Sequence, residues 1–185
     1  EGNRAMFDAI RKEAPKQVVL MSESNGDVLL DGVNTNLAIY GWLACGSVPA
    51  FQAVYSGYTI NVGLLGFPAT LNGTEDQHNF AFLLGWQLIY GHIPGGFCPI
   101  SYLPSLQDAR NRDVLTFLRA VARTREALAD TLVHGRMLRP LRMLGPPLNT
   151  TVVSTVPVGY ACGGVPVILS SAWEATNKSV VVVAV

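Results

Sequence analysis

Residues 32–74 contain no aspartate, glutamate, lysine or arginine, and this uncharged segment constrains the fold more than any other feature of the chain. Its longest apolar stretch, LAIYGWLAC at 37–45, is far shorter than the ~20 residues that a membrane-spanning helix needs, so a membrane protein is not expected. An uncharged segment in water has to be covered by other polypeptide. We therefore expect it to pack within this chain, against polypeptide N-terminal to residue 1, or against another chain.

Composition excludes several classes of partner and cofactor. The 185 residues carry 13 basic and 13 acidic side chains, and there is no basic block of the kind that binds nucleic acid. The three cysteines (Cys45, Cys98 and Cys162) form no CxxC pair and no cluster with histidine. We therefore predict no metal site and no cofactor, and we favour free thiols over one disulfide with a leftover cysteine.

Residues 1–133 alternate between helical and strand-like patterns. Apolar residues at helical spacing, or a strongly apolar run with a plausible cap, predict helices over 3–14, 35–44, 74–90 and 108–133. Continuous apolar runs predict buried strands at QVVLMS (17–22) and VPAFQAVY (48–55), with the stretch SGYTINVG (56–63) as a polar loop. This alternation of helix and strand predicts a parallel sheet.

Residues 134–185 have a different character. The runs GRMLRPLRM, TTVVSTVPV, VPVILSSAW and SVVVVAV are separated by Gly, Pro and Asn and show no helical period, which predicts antiparallel β structure. Two parallel strands form at best a marginally stable sheet. We therefore predict an α/β chain in which residues 1–133 are the C-terminal part of a (β/α)8 barrel and residues 134–185 are an antiparallel, sandwich-like β domain.

This order of elements resembles that of many glycoside hydrolases. The segment VVLMSESNGDVLLDGV (18–33) looks like a late barrel strand with an acidic loop. The segment VPAFQAVYSGYTINVG (48–63) is similar to the final strands of bacterial barrels of the α-galactosidase-like kind, with Ser56 where that pattern has a histidine or another polar group. The resemblance implies a carbohydrate substrate and a cofactor-free hydrolysis by two carboxyl groups.

Glu23 is the candidate catalytic residue, because it follows the predicted strand 17–22 and barrel enzymes keep their chemistry at the carboxyl ends of strands. The alternative is that Glu23 is only the first polar residue of a loop. Asp27 and Asp31 each neighbour a glycine and have turn or substrate-contact roles. The second carboxylate is not evident in these residues, so it has to come from polypeptide N-terminal to them.

Three further side chains are candidates for binding the substrate. Tyr55 and Tyr58 follow the predicted strand 48–55 and could stack on a sugar, or simply be wall residues with wet hydroxyls. His78 lies near the start of a predicted helix beside two acids, where a solvated or capping histidine is the alternative.

Other enzyme classes lack their motifs: there is no GxSxG, no GxGxxG after a strand, no HExxH and no phosphate-binding loop. Two other functions stay open. The chain could be a non-catalytic carbohydrate-binding or scaffold protein on the same barrel, or a small α/β domain whose uncharged segment forms an obligate oligomer interface.

Overall fold

The computed structural model describes residues 2–22, 30, 32–38, 50–63, 74–94, 108–139, 141, 144, 148–154 and 160–185. Five α-helices, one 3-10 helix (Ala109–Asn111) and eight strands lie in these ranges. The α-helices and strands are, in chain order, α1 (Gly2–Glu13), β1 (Met21–Ser22), β2 (Thr35–Ala38), α2 (Ala50–Tyr55), β3 (Ile60–Gly63), α3 (Thr74–Ile89), α4 (Arg112–Ala127), α5 (Ala129–Leu132), β4 (Arg136–Met137), β5 (Asn149–Ser154), β6 (Tyr160–Pro166), β7 (Ser170–Glu174) and β8 (Val180–Ala184). The chain is therefore a mixed α/β structure, as predicted.

The first half contains a parallel sheet in the order β1-β2-β3. Its register pairs Met21 with Thr35 and Thr35 with Ile60. Beyond β3, Val62 forms an isolated parallel bridge with Ile93, which extends the sheet by one more segment. Neighbours in this sheet are therefore also neighbours along the chain, with α2 and α3 in the two longer connections. The predicted parallel sheet is confirmed.

The second half is antiparallel, which confirms that prediction too. One sheet has the order β4-β7-β8, and a separate pair joins β5 to β6. In the first sheet, Ser170 lies opposite Ala184 and Glu174 lies opposite Val180. Lys178 turns the β7–β8 hairpin in the left-handed region (φ 69°).

One hydrophobic core joins residues on both sides of position 134. It is lined by α3 and α4 from the first half and by strands of the second half. Its buried members are Phe80, Phe82, Leu83, Leu84, Leu88, Ile89, Val114, Val121, Leu132, Met137, Val165, Leu169, Trp173 and Val183. The indole nitrogen of Trp173 donates to the carbonyl oxygen of Ile89 at 3.2 Å, so a hydrogen bond also crosses the predicted boundary. The division at residue 134 stays a prediction.

The long helices agree with their sequence patterns. α1 begins and ends one residue before the predicted 3–14, and α3 ends one residue before the predicted 74–90 does. Within 108–133, α4 breaks at Leu128 before the short α5 begins. The predicted apolar stripe of α4 faces the core through Val114 and Val121, while Arg119 is exposed on the other side. A helix with charged residues on one side and apolar residues on the other can be recognised from the sequence by its period.

Three predictions inside the uncharged segment were wrong. Residues 50–55 of the predicted strand 48–55 form the helix α2, in which the rings of Phe51 and Tyr55 contact each other one turn apart with their centroids at 4.9 Å; residues 48 and 49 lie outside the described ranges. Pro49 comes directly before this helix in the sequence, a position where proline favours a helix start. Short apolar runs do not distinguish a strand from a helix by period alone, so α2 was misassigned.

The predicted helix 35–44 begins as the strand β2, and the predicted loop 56–63 contains the strand β3. β2 pairs with a parallel strand on each side, and this pairing supplies the hydrogen bonds that a helix would otherwise make internally. Residues 39–44 lie outside the described ranges. The predicted strand 17–22 is shorter than expected, since only Met21 and Ser22 are paired.

Candidate functional site

The predicted catalytic residue follows the first strand of the parallel sheet. β1 ends at Ser22, and Glu23 is the next residue in the chain. Glu23, Asp27 and Asp31 themselves lie outside the described residues, so their predicted roles stay predictions. The residues around the end of β1 can be described, and they form a row of polar side chains across the sheet.

This polar row consists of Ser22, Asn36, Asn61 and His92. The register pairs Ser22 with Asn36 and Asn36 with Asn61. The bridge between Val62 and Ile93 places the preceding residue, His92, beside Asn61. Paired residues of adjacent strands point to the same face of a sheet, so the four side chains share one face. Asn36, Asn61 and His92 are all buried.

Hydrogen bonds run along the row. The hydroxyl of Ser22 donates to Oδ1 of Asn36 at 2.7 Å, and Nδ2 of Asn36 donates to Oγ1 of Thr59 at 3.1 Å. At the other end, Nε2 of His92 contacts the amide nitrogen of Gln52 on α2. An amide nitrogen is a donor, so this ring nitrogen accepts and the ring proton belongs on Nδ1 of His92.

Two buried atoms of the row lack a protein partner in the described part of the chain. They are Nδ1 of His92 and Oδ1 of Asn61. The first is a donor in this tautomer and the second is an acceptor. A hydroxyl group or a water molecule both donates and accepts, so either matches this pair of atoms.

His92 is uncharged under ordinary conditions. Burial, and to a smaller extent the positive charge of the nearby Arg125, lowers its pKa to about 3. Nε of Arg125 donates to the carbonyl oxygen of His92 at 2.9 Å, which holds the guanidinium close to the ring's backbone. With His92 neutral, the row consists of uncharged hydrogen-bonding groups.

Gly63 allows a helix to approach the same face. A Cβ at Gly63 would lie 2.2 Å from Cδ of Gln87 on α3, which is closer than side chains can approach. The side chain of Gln87 therefore occupies the space that a side chain at position 63 would need. Gln87 on α3 and Gln52 on α2 together cover the polar face with amide side chains.

The opposite face of the parallel sheet is apolar and partly exposed. Met21 lies opposite Thr35 on the next strand, and Thr35 lies opposite Ile60 on the strand after that. Ile93 lies beside Val62 on the same face. Met21 is 56% exposed, and Ile60 and Ile93 are each 37% exposed. Exposed apolar side chains in neighbouring positions mark a surface that contacts other polypeptide or a ligand.

The two candidate tyrosines lie before a strand and not after one. Tyr55 ends α2, and Tyr58 lies in the turn that leads into β3. Their predicted position at a carboxyl end depended on the strand 48–55, which is a helix. Tyr58 is 85% exposed, whereas Tyr55 is partly buried against Phe51. Their role in substrate binding stays a prediction.

His78 is exposed near the start of α3. Because α3 connects β3 to the parallel segment at Ile93, it runs back from the carboxyl end of β3 toward the start of that segment. The helix start therefore belongs to the carboxyl edge of the sheet, the edge at which β1 also ends. His78 therefore belongs to this edge, whereas the tyrosines precede β3, and a role of His78 in substrate binding stays a prediction.

The sequence pattern did not predict the polar row. The two short runs Thr35-Asn36-Leu37 and Ile60-Asn61-Val62 have the same order of a β-branched, an asparagine and an apolar residue. They occupy equivalent registers of adjacent strands. That repetition was the available signal, but it becomes informative only when both runs are recognised as strands.

Searches against known proteins return no match: no family model matches the chain, and neither the curated proteins nor the solved structures contain a significant relative. Within the described ranges, no helix is both long and apolar enough to cross a membrane. The same residues contain no group of three or more His, Cys, Asp or Glu side chains that could hold a metal ion.

Proposed function

We propose that this chain forms the last strands of a (β/α)8 barrel in a glycoside hydrolase, with Glu23 as one of its two catalytic carboxyl groups. The observation that carries the proposal is the parallel sheet whose neighbours follow chain order, β1-β2-β3 and then Ile93, with Glu23 next after β1. The resemblance of residues 18–33 to a late strand and acidic loop of α-galactosidase-like barrels supplies the substrate class; the likeness of residues 48–63 to final barrel strands adds no support, because residues 50–55 form the helix α2.

The strand order is the one that a barrel requires, since a barrel adds each strand beside the previous one. Each half of a doubly wound sheet also runs in chain order as far as its switch point. The three strands and the single bridge at Ile93 therefore support a barrel and are equally compatible with one half of an open α/β sheet. The exposed apolar face with Met21, Ile60 and Ile93 is compatible with a sheet that is completed by other polypeptide.

The chemistry requires no cofactor. One carboxyl group protonates the departing glycosidic oxygen, and the other attacks the sugar or activates water. Glu23 supplies one of these groups, and the other comes from polypeptide outside residues 1–185. Asp27, Asp31 and His78 contact the substrate near the carboxyl edge, whereas Tyr55 and Tyr58 precede β3 and lie toward the opposite edge of the sheet, so they have no role in the proposed mechanism.

The polar row lies on the side of the sheet that the helices cover. Gln52 of α2 contacts His92, and Gln87 of α3 lies beside Gly63. Helices form the outer layer of a (β/α)8 barrel, so the row belongs to the outer face of the strands and supports no particular ligand.

The test is the substitution Glu23→Gln in the full native polypeptide, assayed on nitrophenyl glycosides that include the α-galactoside. Natural disaccharides are assayed beside them, and on these substrates loss of either catalytic carboxyl group is expected to lower kcat/KM on the order of a thousandfold, with sugar binding retained. Glu13→Gln is the matched control, because Glu13 undergoes the same chemical change at the exposed end of α1. Unchanged turnover of both the nitrophenyl glycosides and the natural disaccharides by the Glu23 variant would exclude Glu23 as a catalytic group.

The same assay decides between acid and nucleophile. A nitrophenolate leaves without protonation, so a variant lacking only the general acid retains activity on nitrophenyl substrates and loses it on natural disaccharides. A variant lacking the nucleophile loses both activities. If the wild-type polypeptide binds sugars without cleaving any substrate, the non-catalytic carbohydrate-binding alternative replaces the hydrolase.

The exposed apolar sheet face also favours a second candidate, an obligate oligomer formed through the uncharged segment. Replacing Met21 and Ile60 by lysine tests it, since both side chains are exposed on that face. Subunit dissociation seen by light scattering, with glycosidase activity absent in wild type, would favour the oligomer. An active monomer would exclude it.

A further inference from the structure

The second half of the chain carries an unprotected strand edge. β8 pairs with β7 on one side, and no described strand pairs with its other side. The direction of its backbone groups follows from the bonds at the two ends of the hairpin. Val185 and Leu169 exchange both backbone hydrogen bonds at 2.9 Å, and the amide of Ala175 donates to the carbonyl of Ser179.

In an antiparallel pair, residues that exchange both hydrogen bonds alternate with residues that exchange none. Starting from Val185 and Ser179, the residues of β8 that bond β7 are Val181 and Val183. The N–H and C=O groups of Val180, Val182 and Ala184 therefore point away from β7, toward the free edge. An extended partner chain could accept and donate at each of these positions.

The free edge lacks the usual protection against pairing. Monomeric proteins place lysine, proline or a bulge on their edge strands. β8 has none of these between Val180 and Ala184, and the side chains of Val180 and Val182 are 63% and 54% exposed. The nearest charged residues, Glu174 and Lys178, are paired with each other at the turn end of the hairpin.

We propose that β8 pairs antiparallel with β8 of a second copy of this chain, about a two-fold axis at Val182. In this register Val182 lies opposite Val182 of the second copy, and Val180 lies opposite Ala184. All outward backbone groups of the strand are then paired, and the side chains that meet on the exposed face are apolar. The dimer does not depend on the proposed glycosidase activity.

The second copy is the occupant because the strand is self-complementary. An isologous pair requires one patch to match itself after a two-fold rotation. A two-fold rotation about Val182 places Val180 opposite Ala184 of the second copy, so the strand matches itself, and all of these residues are small or β-branched. Like charges opposite each other would destabilise such a pair, and the uncharged strand has none. The pairing is also finite, since a two-fold pair uses the β8 edge of both copies and leaves no β8 edge for a third.

The test exploits the position of Val182 on the axis. Val182→Lys and Val182→Glu each place like charges opposite each other, so each variant alone is expected to weaken the dimer on the order of tenfold or more. An equal mixture of the two variants places lysine opposite glutamate and is expected to restore a mixed dimer. Sedimentation velocity of the full native polypeptide over a concentration series measures all three samples.

Val167→Lys is the matched control. Val167 is 49% exposed in the turn between β6 and β7, so it undergoes the same change at similar exposure away from β8. It is expected to dimerise like wild type. Circular dichroism checks that each variant is folded, since an exposed valine on an edge strand can be replaced without entering the core.

Three outcomes overturn the proposal. If the wild-type protein stays monomeric at all concentrations, β8 does not pair with a second copy, and its edge is either unpaired or covered by its own polypeptide. Dimers that persist in both charged variants use another surface. A mixture that fails to restore the dimer excludes the two-fold axis at Val182. Activity of the Glu23 variant has no bearing on these outcomes.

Discussion

Trp173→Phe is expected to destabilise both halves of the chain together. Trp173 is only 1% exposed, and its indole nitrogen donates to the carbonyl of Ile89 and to the hydroxyl of Ser171 at 2.9 Å. Ile89 ends α3, which lies before the predicted boundary at 134, whereas Trp173 lies after it. The ring also fills space beside Gly91, where a Cβ would lie 3.0 Å from Cη2 of Trp173.

The magnitude has two parts. Phenylalanine cannot donate, so the two acceptors lose their partner, which costs about 1–3 kcal/mol for a buried group. The smaller ring also leaves a cavity; complete removal of a buried tryptophan side chain costs about 3–5 kcal/mol, and Phe recovers part of this. We therefore expect a loss of about 2–4 kcal/mol for Phe and about 3–5 kcal/mol or more for Ala. Domains are typically stable by only about 5–15 kcal/mol.

Urea unfolding measures this loss. Circular dichroism at 222 nm reports mainly α1, α3 and α4, which all precede residue 134. If the shared core couples the halves, Trp173→Phe shifts the midpoint of this helical signal. The variant Ser171→Ala measures the hydrogen bond from Trp173 to Ser171 by itself, because it removes that acceptor and leaves the carbonyl of Ile89 in place. An unchanged helical midpoint in Trp173→Phe would refute the coupling and favour two independently unfolding domains.

Two further predictions concern the parallel sheet. His92 is neutral in the folded state, with a pKa of about 3, while the unfolded chain binds its proton near pH 6.5. Its contribution therefore makes stability fall as pH decreases from about 6 to 3, by at most about 1.4 kcal/mol per pH unit. A His92→Asn variant is expected to show a shallower slope in denaturant titrations across this range, and an equal slope would mean that His92 is protonated in the fold. Gly63→Ala is expected to lower the free energy of unfolding by about 1–3 kcal/mol, because the new methyl group overlaps Gln87. Thermal unfolding measures this loss, and recovery of the Tm in the double variant Gly63→Ala/Gln87→Ala would confirm the cause. An unaltered Tm in Gly63→Ala would contradict the close packing.

Prediction of the site was limited by the uncharged segment. The end of the strand before Glu23 was predicted correctly, because VVLM followed by polar residues is a clear strand end and β1 ends at Ser22; Glu23 itself lies outside the described residues. Asn36 and Asn61 were not predicted, because their strands were misassigned as a helix and a loop. Without charged residues, polar and apolar positions do not alternate clearly, and the periods of helix and strand cannot be separated.

The sequence by itself determined the elements whose two sides differ in polarity. α1 and α4 follow from charges opposite apolar stripes, α3 from a long apolar run, and the antiparallel half from valine-rich runs between turn residues. These patterns are local, so no partner is needed to recognise them.

Tertiary structure alone decided what the uncharged segment becomes. β2 is a strand because parallel strands lie on both sides of it, and His92 joins Asn61 because α3 returns the chain to the same sheet. It also decided that Trp173 connects the two halves through Ile89. Such choices depend on hydrogen-bond partners and buried neighbours that are distant in the chain, and no local pattern of residues encodes them.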